Sequence, residues 1–156
     1  MDPRIALIGL VHLALIGIGG WLMLIDARTH RLPNRIVLPT LGGLLALAIV
    51  DALVTGDRAP SIRAVLGMLI LGGFYALLRL LSRAGMGGGD VKLAAVIGLV
   101  LAWHGWTALA VGAAAAFVLG ALYALTLMAL GRADRSTRIA FGPWMIIGAM
   151  LGVVVA

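Results

Sequence analysis

The stretch LAAVIGLVLAWHGWTALAVGAAAAFVLGALYALTLMALG, residues 93–131, contains no Asp, Glu, Lys or Arg over 39 residues. A helix that crosses a bilayer needs about 20 predominantly apolar residues, so this stretch is too long for one crossing and suits two. Trp favours the membrane interface and Gly permits chain reversal, which puts the predicted turn at Trp103-His104-Gly105-Trp106. The stretch therefore predicts two spans, four and five, and span four reaches full length only if it begins near Gly87.

Apolar runs of similar length fill the rest of the chain, which is 63% hydrophobic and 12% charged. This composition is far from that of a soluble globular protein. The runs at 5–25, 36–56, 62–82 and 139–156 predict four further spans. No polar stretch is long enough for a separate soluble domain. We therefore expect residues 1–156 to form a single all-α, polytopic membrane domain with six transmembrane helices.

The distribution of positive charge predicts the orientation of these spans. Loops one, three and five hold nine of the 12 Lys and Arg residues, whereas the N-terminal end and the even loops hold three. Cytoplasmic loops carry the excess of positive charge, so both termini are expected outside the plasma (inner) membrane. The net charge of +6 lies in these short loops, which favours the head groups of the lipid bilayer, rather than nucleic acid, as its partner.

Two aspartates stand where polar, helix-breaking segments meet these apolar runs. Asp26 ends span one and is followed by Leu32-Pro33-Asn34, and Asp90 opens span four directly after Gly87-Gly88-Gly89. Both lie at similar depth on the predicted cytoplasmic side, on different helices. Ionisable residues at membrane depth are costly and by default mark a functional site, so these two aspartates are the predicted catalytic pair.

A pair of carboxylates can hydrolyse a peptide bond. One ionised Asp takes a proton from water while the other, protonated, donates a hydrogen bond to the scissile carbonyl. Two like charges held close together cannot both ionise easily, so the pair holds one shared proton over a range of pH. This chemistry needs no metal and no cofactor, and we expect neither.

The segments beside the aspartates are expected to bind substrate or to shape the loops. Gly85 and Gly87-Gly88-Gly89 permit φ > 0 and a close backbone approach, which would make room for an extended substrate. The same glycines would also simply break a helix at a loop, and composition alone favours this second interpretation. Pro33 and Asn34 suit the first turn and cap of span two.

Taken together, these segments resemble the type IV prepilin peptidase family of intramembrane aspartyl proteases. Gly87-Gly88-Gly89-Asp90 matches the GxGD motif of that family, and Val91-Lys92-Leu93 extends it to the GDxKL form. Asp26 with Leu32-Pro33-Asn34 matches the first aspartate and the I-P-N element, with Leu in place of Ile. Ala140-Phe141-Gly142-Pro143 is similar to the late FGP element, so the resemblance covers nearly the whole chain.

The resemblance implies an aspartic endopeptidase that removes the basic leader of prepilins or prepilin-like proteins at the cytoplasmic membrane face, with Asp26 and Asp90 as its catalytic residues. Larger bacterial members of the family carry a cytoplasmic domain with paired CxxC motifs and also N-methylate the new N-terminus. This chain has no cysteine. It resembles the compact peptidases of Flp/Tad-type pilus systems or archaeal preflagellin peptidases, and no methyltransferase activity is expected.

Two other functions would use these residues differently. In a small proton-coupled membrane transporter, Asp26 and Asp90 would form the proton relay, although transporter sites usually lie near the bilayer midplane. In a non-enzymatic membrane subunit of pilus assembly, Asp→Asn at either site would be tolerated. The peptidase hypothesis predicts instead that each substitution abolishes cleavage while the protein still inserts.

Several other residues are expected to have structural rather than catalytic roles. His12 lies in the middle of span one and is expected to hydrogen-bond another helix. Asp51 and His104 are expected at the outer side, Asp51 facing water and His104 in the turn. Arg79 and Lys92 are expected to extend towards the interface, with steadying of the loop as a second role for Lys92. The small residues of span five, among them 112–116, suit close helix packing.

Overall fold

The computed structural model describes residues 3–82, 87–134, 137 and 139–155. The regular elements in these residues are six helices: α1 (Pro3–Thr29), α2 (Asn34–Thr55), α3 (Ala59–Leu81), α4 (Gly88–His104), α5 (Trp106–Ala129) and α6 (Gly142–Val155). The predicted all-α fold and the order of its six apolar segments are confirmed. Gly85, part of the predicted glycine segment, lies outside the described residues.

Four of these helices, α1, α2, α3 and α5, are long and apolar enough to cross a membrane. Hydrocarbon offers no partner to a backbone N–H or C=O group, so a long apolar run there forms a helix, which satisfies its own backbone. The other two helices are shorter, with 17 residues in α4 and 14 in α6. The chain therefore has the architecture of a multi-pass membrane protein.

Helix α4 is the central helix of the bundle. It packs against α2, α3, α5 and α6, and most of its residues from Leu93 to Ala102 are buried. It approaches α3 most closely where Gly98 faces Gly67, because a Cβ at Gly98 would lie 2.9 Å from the carbonyl carbon of Gly67. Small residues that let two backbones touch are a common basis of helix packing in membranes.

Helices α5 and α6 form a second close pair. A Cβ at Gly148 would lie 2.6 Å from the carbonyl oxygen of Gly112, so the two backbones are in contact there. Further along α5, a Cβ at Gly120 would lie 2.6 Å from the ring of Phe141. The small residues predicted to serve packing in span five do so against α6.

The turn between α4 and α5 consists of Gly105 alone, within the predicted Trp103–Trp106 segment. Its φ is +156°, a conformation that a residue with a side chain rarely adopts. Arg63 of α3 donates a hydrogen bond from Nη2 to the carbonyl of Trp103 at 2.6 Å, which satisfies one of the free carbonyls at the end of α4. The other end of α4 begins at Gly88, close to the start that the sequence required, but with 17 residues the helix is still shorter than the four full-length spans.

A cleft separates α1 from α2 and α4. Helix α1 packs chiefly on α6, even though only a short loop joins it to α2. Two adjoining cavities of about 490 and about 360 Å³ run along the cleft, and His12 and Val100 line both. The smaller cavity reaches Leu22 and Leu93, which lie about one turn from the two aspartates.

Two polar contacts bridge this cleft. His12 Nε2 lies 3.0 Å from His104 Nε2, which confirms the predicted interhelical hydrogen bond of His12. Arg4 Nε lies 2.9 Å from Asp51 Oδ1. Asp51, which was expected to face water, instead pairs with Arg4, because the N-terminal turn of α1 reaches across to it. His104 likewise does more than occupy a turn, since it binds α1.

Candidate active site

Asp26 is buried near the end of α1, with only 4% of its surface exposed. Its Oδ2 accepts a hydrogen bond from the backbone N–H of Gly142 at 3.0 Å. Gly142 is the first residue of α6, so the positive end of a helix dipole faces the carboxylate. Because α1 continues for almost one turn past Asp26 to Thr29, this side chain lies within the helix rather than at its end.

The segment Phe141-Gly142 is shaped for this contact. A Cβ at Gly142 would lie 2.5 Å from Oδ2 of Asp26, so a larger residue would obstruct the hydrogen bond. The ring of Phe141 packs on Phe117, with centroids 5.4 Å apart, and on Tyr75 at 6.2 Å. An aromatic anchor thus fixes the position from which the next residue donates to the carboxylate.

Asp90 is the third residue of α4, and its side chain is half-buried. Its Oδ2 accepts a hydrogen bond at 3.1 Å from the backbone N–H of Gly87, the N-cap residue of α4. This contact satisfies a backbone donor that the helix itself leaves unpaired. It also puts a negative charge in the first turn, where the helix dipole favours it.

The two carboxylates lie at the same end of the bundle. Asp26 is among the charges that act on Asp90. The segments that carry them are in contact, because a Cβ at Gly89 would lie 2.8 Å from the Cβ of Leu32. Leu32 is itself part of the buried apolar core. The structure thus brings together the two segments that the sequence singled out.

Pro33 and Asn34 form the start of α2. Pro33 is the N-cap residue, with a φ of −71°, and its carbonyl accepts hydrogen bonds from the N–H groups of Ile36 and Val37. Asn34 is the first residue of the helix, and its Oδ1 accepts a hydrogen bond at 2.7 Å from Nζ of Lys92. Lys92 therefore steadies the loop, which is one of the two roles expected for it.

The described glycines before Asp90 permit a positive φ but do not use it. Gly87 has a φ of −73°, and Gly88 and Gly89 are helical residues of α4. Capping by Asp90 keeps the chain helical from Gly88 onwards. Gly88 touches the guanidinium of Arg79, and Gly89 packs on Leu32. The room that these glycines would make for an extended substrate stays a prediction.

Sequence reasoning missed the contribution of α3 to this site. Tyr75 and Arg79, one turn apart on α3, both interact electrostatically with Asp90. Arg79 was expected only to extend to the interface, and instead packs on Gly88. A tyrosine four residues before an arginine, on a helix that is otherwise almost wholly apolar, was the available signal.

The ring of Tyr75 is held rigidly while its hydroxyl remains available. The residue is 1% exposed, and its ring lies 5.6 Å from that of Phe117. Within the described residues its hydroxyl makes no hydrogen bond, although every buried side-chain polar atom there has a partner. The hydroxyl oxygen is therefore not fully enclosed, and it lies near enough to Asp90 for the two groups to interact electrostatically.

The arrangement suits proton transfer to and from water. In each aspartate Oδ2 accepts a backbone N–H, and among the described residues no donor reaches Oδ1. One oxygen of each carboxylate thus fixes its orientation and the other is free to bind water or substrate. In the same part of the chain, no group of three or more His, Cys, Asp or Glu residues could hold a metal ion.

Comparison with known proteins links this site to a family. The sequence model of the type IV leader peptidase family matches residues 13–125, a range that includes both aspartates. The chain is 38% identical over 154 residues to the prepilin leader peptidase/N-methyltransferase of Dickeya chrysanthemi, which covers 98% of this chain and 52% of that protein. No solved structure matches the chain.

Two further relatives carry the same name. The protein of Pseudomonas aeruginosa is 34% identical over 138 residues, covering 84% of this chain and 44% of its own length. The protein of Escherichia coli is 34% identical over 133 residues, covering 85% and 57%. The chain spans about half the length of the curated relatives it matches. Since the family model covers well over half of it, the chain belongs to the type IV leader peptidase family.

Proposed function

We propose that this protein is an intramembrane aspartic peptidase that removes the basic leader of prepilin-like proteins at the cytoplasmic face of the plasma membrane. One observation carries the proposal: Asp26 and Asp90, from distant segments, lie at one end of the bundle, near enough for the charge of Asp26 to act on Asp90, and each is oriented by a backbone N–H. Family membership supports the substrate class, because the relatives are named as prepilin leader peptidases.

In the proposed reaction the two carboxylates share one proton. The ionised carboxylate takes a proton from water as the water oxygen attacks the scissile carbonyl, and the protonated one donates to the carbonyl oxygen. Collapse of the tetrahedral intermediate breaks the C–N bond, and the leaving amine takes a proton from the pair. The Oδ1 atoms carry these transfers, while Gly87-Gly88-Gly89, Pro33 and Asn34 shape the loops around the substrate.

The proposed topology has six spans in a single domain, with both termini outside. The six helices and the four that have the length of a full span support it. The excess of positive charge in the odd-numbered loops supports the orientation, which puts both aspartates at the cytoplasmic face. The two shorter helices, α4 and α6, reach full depth by including polar ends or by local thinning of the bilayer.

We propose leader cleavage without N-methylation. The names of the relatives include N-methyltransferase, but this chain contains no cysteine. The paired CxxC motifs, which the resemblance associates with the methylating members, therefore have no counterpart in these 156 residues. Intact-mass measurement of the mature product tests this point, since one methyl group would add about 14 Da to the expected mass.

Cleavage by membranes that contain this protein tests the main proposal. A prepilin with a basic leader is incubated with wild type, Asp26→Asn or Asp90→Asn, and the shift from precursor to mature protein is followed on a gel. Each substitution removes the charge and the shared proton with little change in shape. We expect cleavage to fall at least a hundredfold, because acid–base catalysis typically contributes that much.

Asp57→Asn is the matched control. Asp57 is exposed, and its Oδ1 accepts the N–H of Ala59 at the start of α3, a role that Asn fulfils equally well. This variant should cleave like wild type. Wild-type cleavage by Asp26→Asn and Asp90→Asn would contradict the catalytic assignment and favour the membrane subunit. Proton uptake lost in both mutants, without any cleavage by wild type, would favour the transporter.

A further inference from the structure

Lys92 connects the two aspartate segments directly. Its Nζ donates a hydrogen bond to Oδ1 of Asn34 at 2.7 Å. Lys92 lies two residues after Asp90 in the first turns of α4, and Asn34 is the first residue of α2. The bond therefore joins the element that carries one aspartate to the loop that follows the other.

This polar bond adds to an apolar contact between the loop and α4. Leu32 packs on Gly89 so closely that a Cβ at Gly89 would lie 3.3 Å from the backbone nitrogen of Leu32. The apolar contact sets the distance between the loop and α4, and the polar bond adds a directed constraint at Asn34, where α2 begins.

The position of Asn34 affects that of Asp26, because the loop between α1 and α2 is short and its backbone is hydrogen-bonded to the end of α1. The N–H of His30 donates to the carbonyl of Asp26 at 2.8 Å. His30 has a φ of +51°, so the chain turns sharply there, and the hydroxyl of Thr29 donates to the carbonyl of Ile25 at 2.8 Å. A movement of Asn34 would therefore displace the end of α1 that carries the carboxylate.

The bond to Asn34 turns the side chain of Lys92 away from Asp90. Residues two apart on a helix project to different sides. Arg79 is among the charges that act on Asp90. The ammonium of Lys92 instead donates its hydrogen bond to Asn34.

We propose that Lys92 is a positioning residue, which sets the separation of Asp26 and Asp90 through its hydrogen bond to Asn34. The proposal rests on the proposed peptidase function, since it concerns the geometry of the same pair. Loss of the bond leaves both carboxylates present but lets their spacing vary. Small errors of placement at a reacting centre are costly, so kcat should fall while substrate binding changes little.

A double-mutant cycle tests the proposal through kcat and KM of leader cleavage. Lys92→Met and Asn34→Ala each remove the bond, and we expect kcat to fall about tenfold or more in either, with KM within about twofold of wild type. If both residues act through one bond, the double variant is no slower than the slower single variant. Asn34→Asp retains an acceptor for the ammonium and should restore most of kcat.

Arg35→Gln is the matched control for charge. Arg35 is exposed beside Asn34, and its substitution removes a cation without touching the bond, so kcat should stay within about twofold of wild type. Lys92 is the only lysine of the chain, so an amine reagent followed by mass spectrometry gives a second readout. Its ammonium should react faster in Asn34→Ala than in wild type.

The possible outcomes test the positioning role, the Lys92–Asn34 hydrogen bond and the peptidase function separately. An active wild type with equally active Lys92→Met, or additive losses in the double variant, would refute the positioning role and leave the peptidase proposal standing. Unchanged reactivity of Lys92 in Asn34→Ala would refute the bond itself. A wild type that cleaves no precursor would refute the proposed function, and the positioning role with it.

Discussion

At the scale of single residues, Tyr75 offers a test of the contribution that α3 makes beside Asp90. Tyr75→Phe keeps the ring in its aromatic cluster and removes only the hydroxyl, which is available to bond a carboxylate or bound substrate. Loss of one such hydrogen bond is worth about 1 kcal/mol, so kcat should fall roughly three- to tenfold. Steady-state cleavage kinetics and a thermal melt in detergent separate this effect from a loss of stability.

Tyr123→Phe is the control, because Tyr123 is the only other tyrosine. Its ring packs on Trp144 with centroids 4.8 Å apart, and its side chain is 41% exposed. It should cleave like wild type. If Tyr75→Phe kept its kcat and lost only thermal stability, Tyr75 would be a packing residue.

The candidate site was partly predictable, because the acidic residues that could act in catalysis lie in the sequence next to segments that break helices. Asp26 and Asp90 are conspicuous as acids at the edges of apolar runs, and both lie where the runs end. The hydrogen bond from Gly142 to Asp26 was not predictable, since it depends on how α6 docks on α1. The same holds for Tyr75, which reaches the site only because α3 packs on α4.

At the scale of elements, the contact between α3 and α4 depends on the absence of side chains. Gly67→Ala would put a methyl group against the backbone of Gly98 and the Cβ of Ala102, and the helices would have to separate. Such overpacking typically costs about 1–3 kcal/mol. We expect a lower free energy of unfolding in a detergent titration.

Gly73→Ala is the matched variant on the same helix. Nothing lies within 4 Å of a Cβ at Gly73, so only the intrinsic helix propensity changes, by up to about 1 kcal/mol in favour of Ala. This variant should be as stable as wild type or more so. Equal stability of the two variants would mean that the α3–α4 contact adjusts freely to a methyl group.

The helices were predictable to within a few residues, and their ends were not. Apolar runs end at the first charged residue, but the backbone hydrogen bonds of α1 continue past Asp26 to Thr29. Likewise α4 begins within the glycine segment, because the side chain of Asp90 caps the helix at Gly87. Periodicity and composition report where side chains are apolar, whereas helix ends depend on which backbone donors find partners.

At the scale of the whole molecule, the pairing of helices was the part that the sequence left open. Consecutive elements are usually neighbours, yet α1 packs on α6 and leaves a cleft towards α2 and α4. Small-residue positions predicted that helices would pack closely, but not which helices. Polar contacts bridge the cleft at the histidine pair and at the Arg4–Asp51 ion pair, and its other end reaches the site.

The histidine pair has a definite arrangement of protons. His12 Nδ1 lies 2.7 Å from the carbonyl oxygen of Ile8, and a carbonyl only accepts, so Nδ1 carries a proton. In the neutral pair, Nε2 of His12 therefore accepts the hydrogen bond that Nε2 of His104 donates. This bond holds the middle of α1 against the end of α4 across the cleft.

Loss of this bond should loosen α1 and lower the stability of the whole bundle. Interhelical hydrogen bonds in membrane proteins contribute about 0.6 kcal/mol on average, with a maximum near 1.7. We expect His12→Leu and His104→Leu each to reduce the free energy of unfolding by about this amount. Because they remove the same bond, the double variant should lose little more than either single variant.

The third histidine provides the control, and the absence of cysteine provides a second measurement. His30 is exposed and has a positive φ, so His30→Asn, which tolerates that conformation, should leave the stability unchanged. Cysteines introduced at Leu7 and Leu47, which line opposite sides of the cleft, can carry spin labels for distance measurement. The distance distribution should broaden in His104→Leu; an unchanged distribution would mean that α6 and the Arg4–Asp51 ion pair suffice to hold α1 in place.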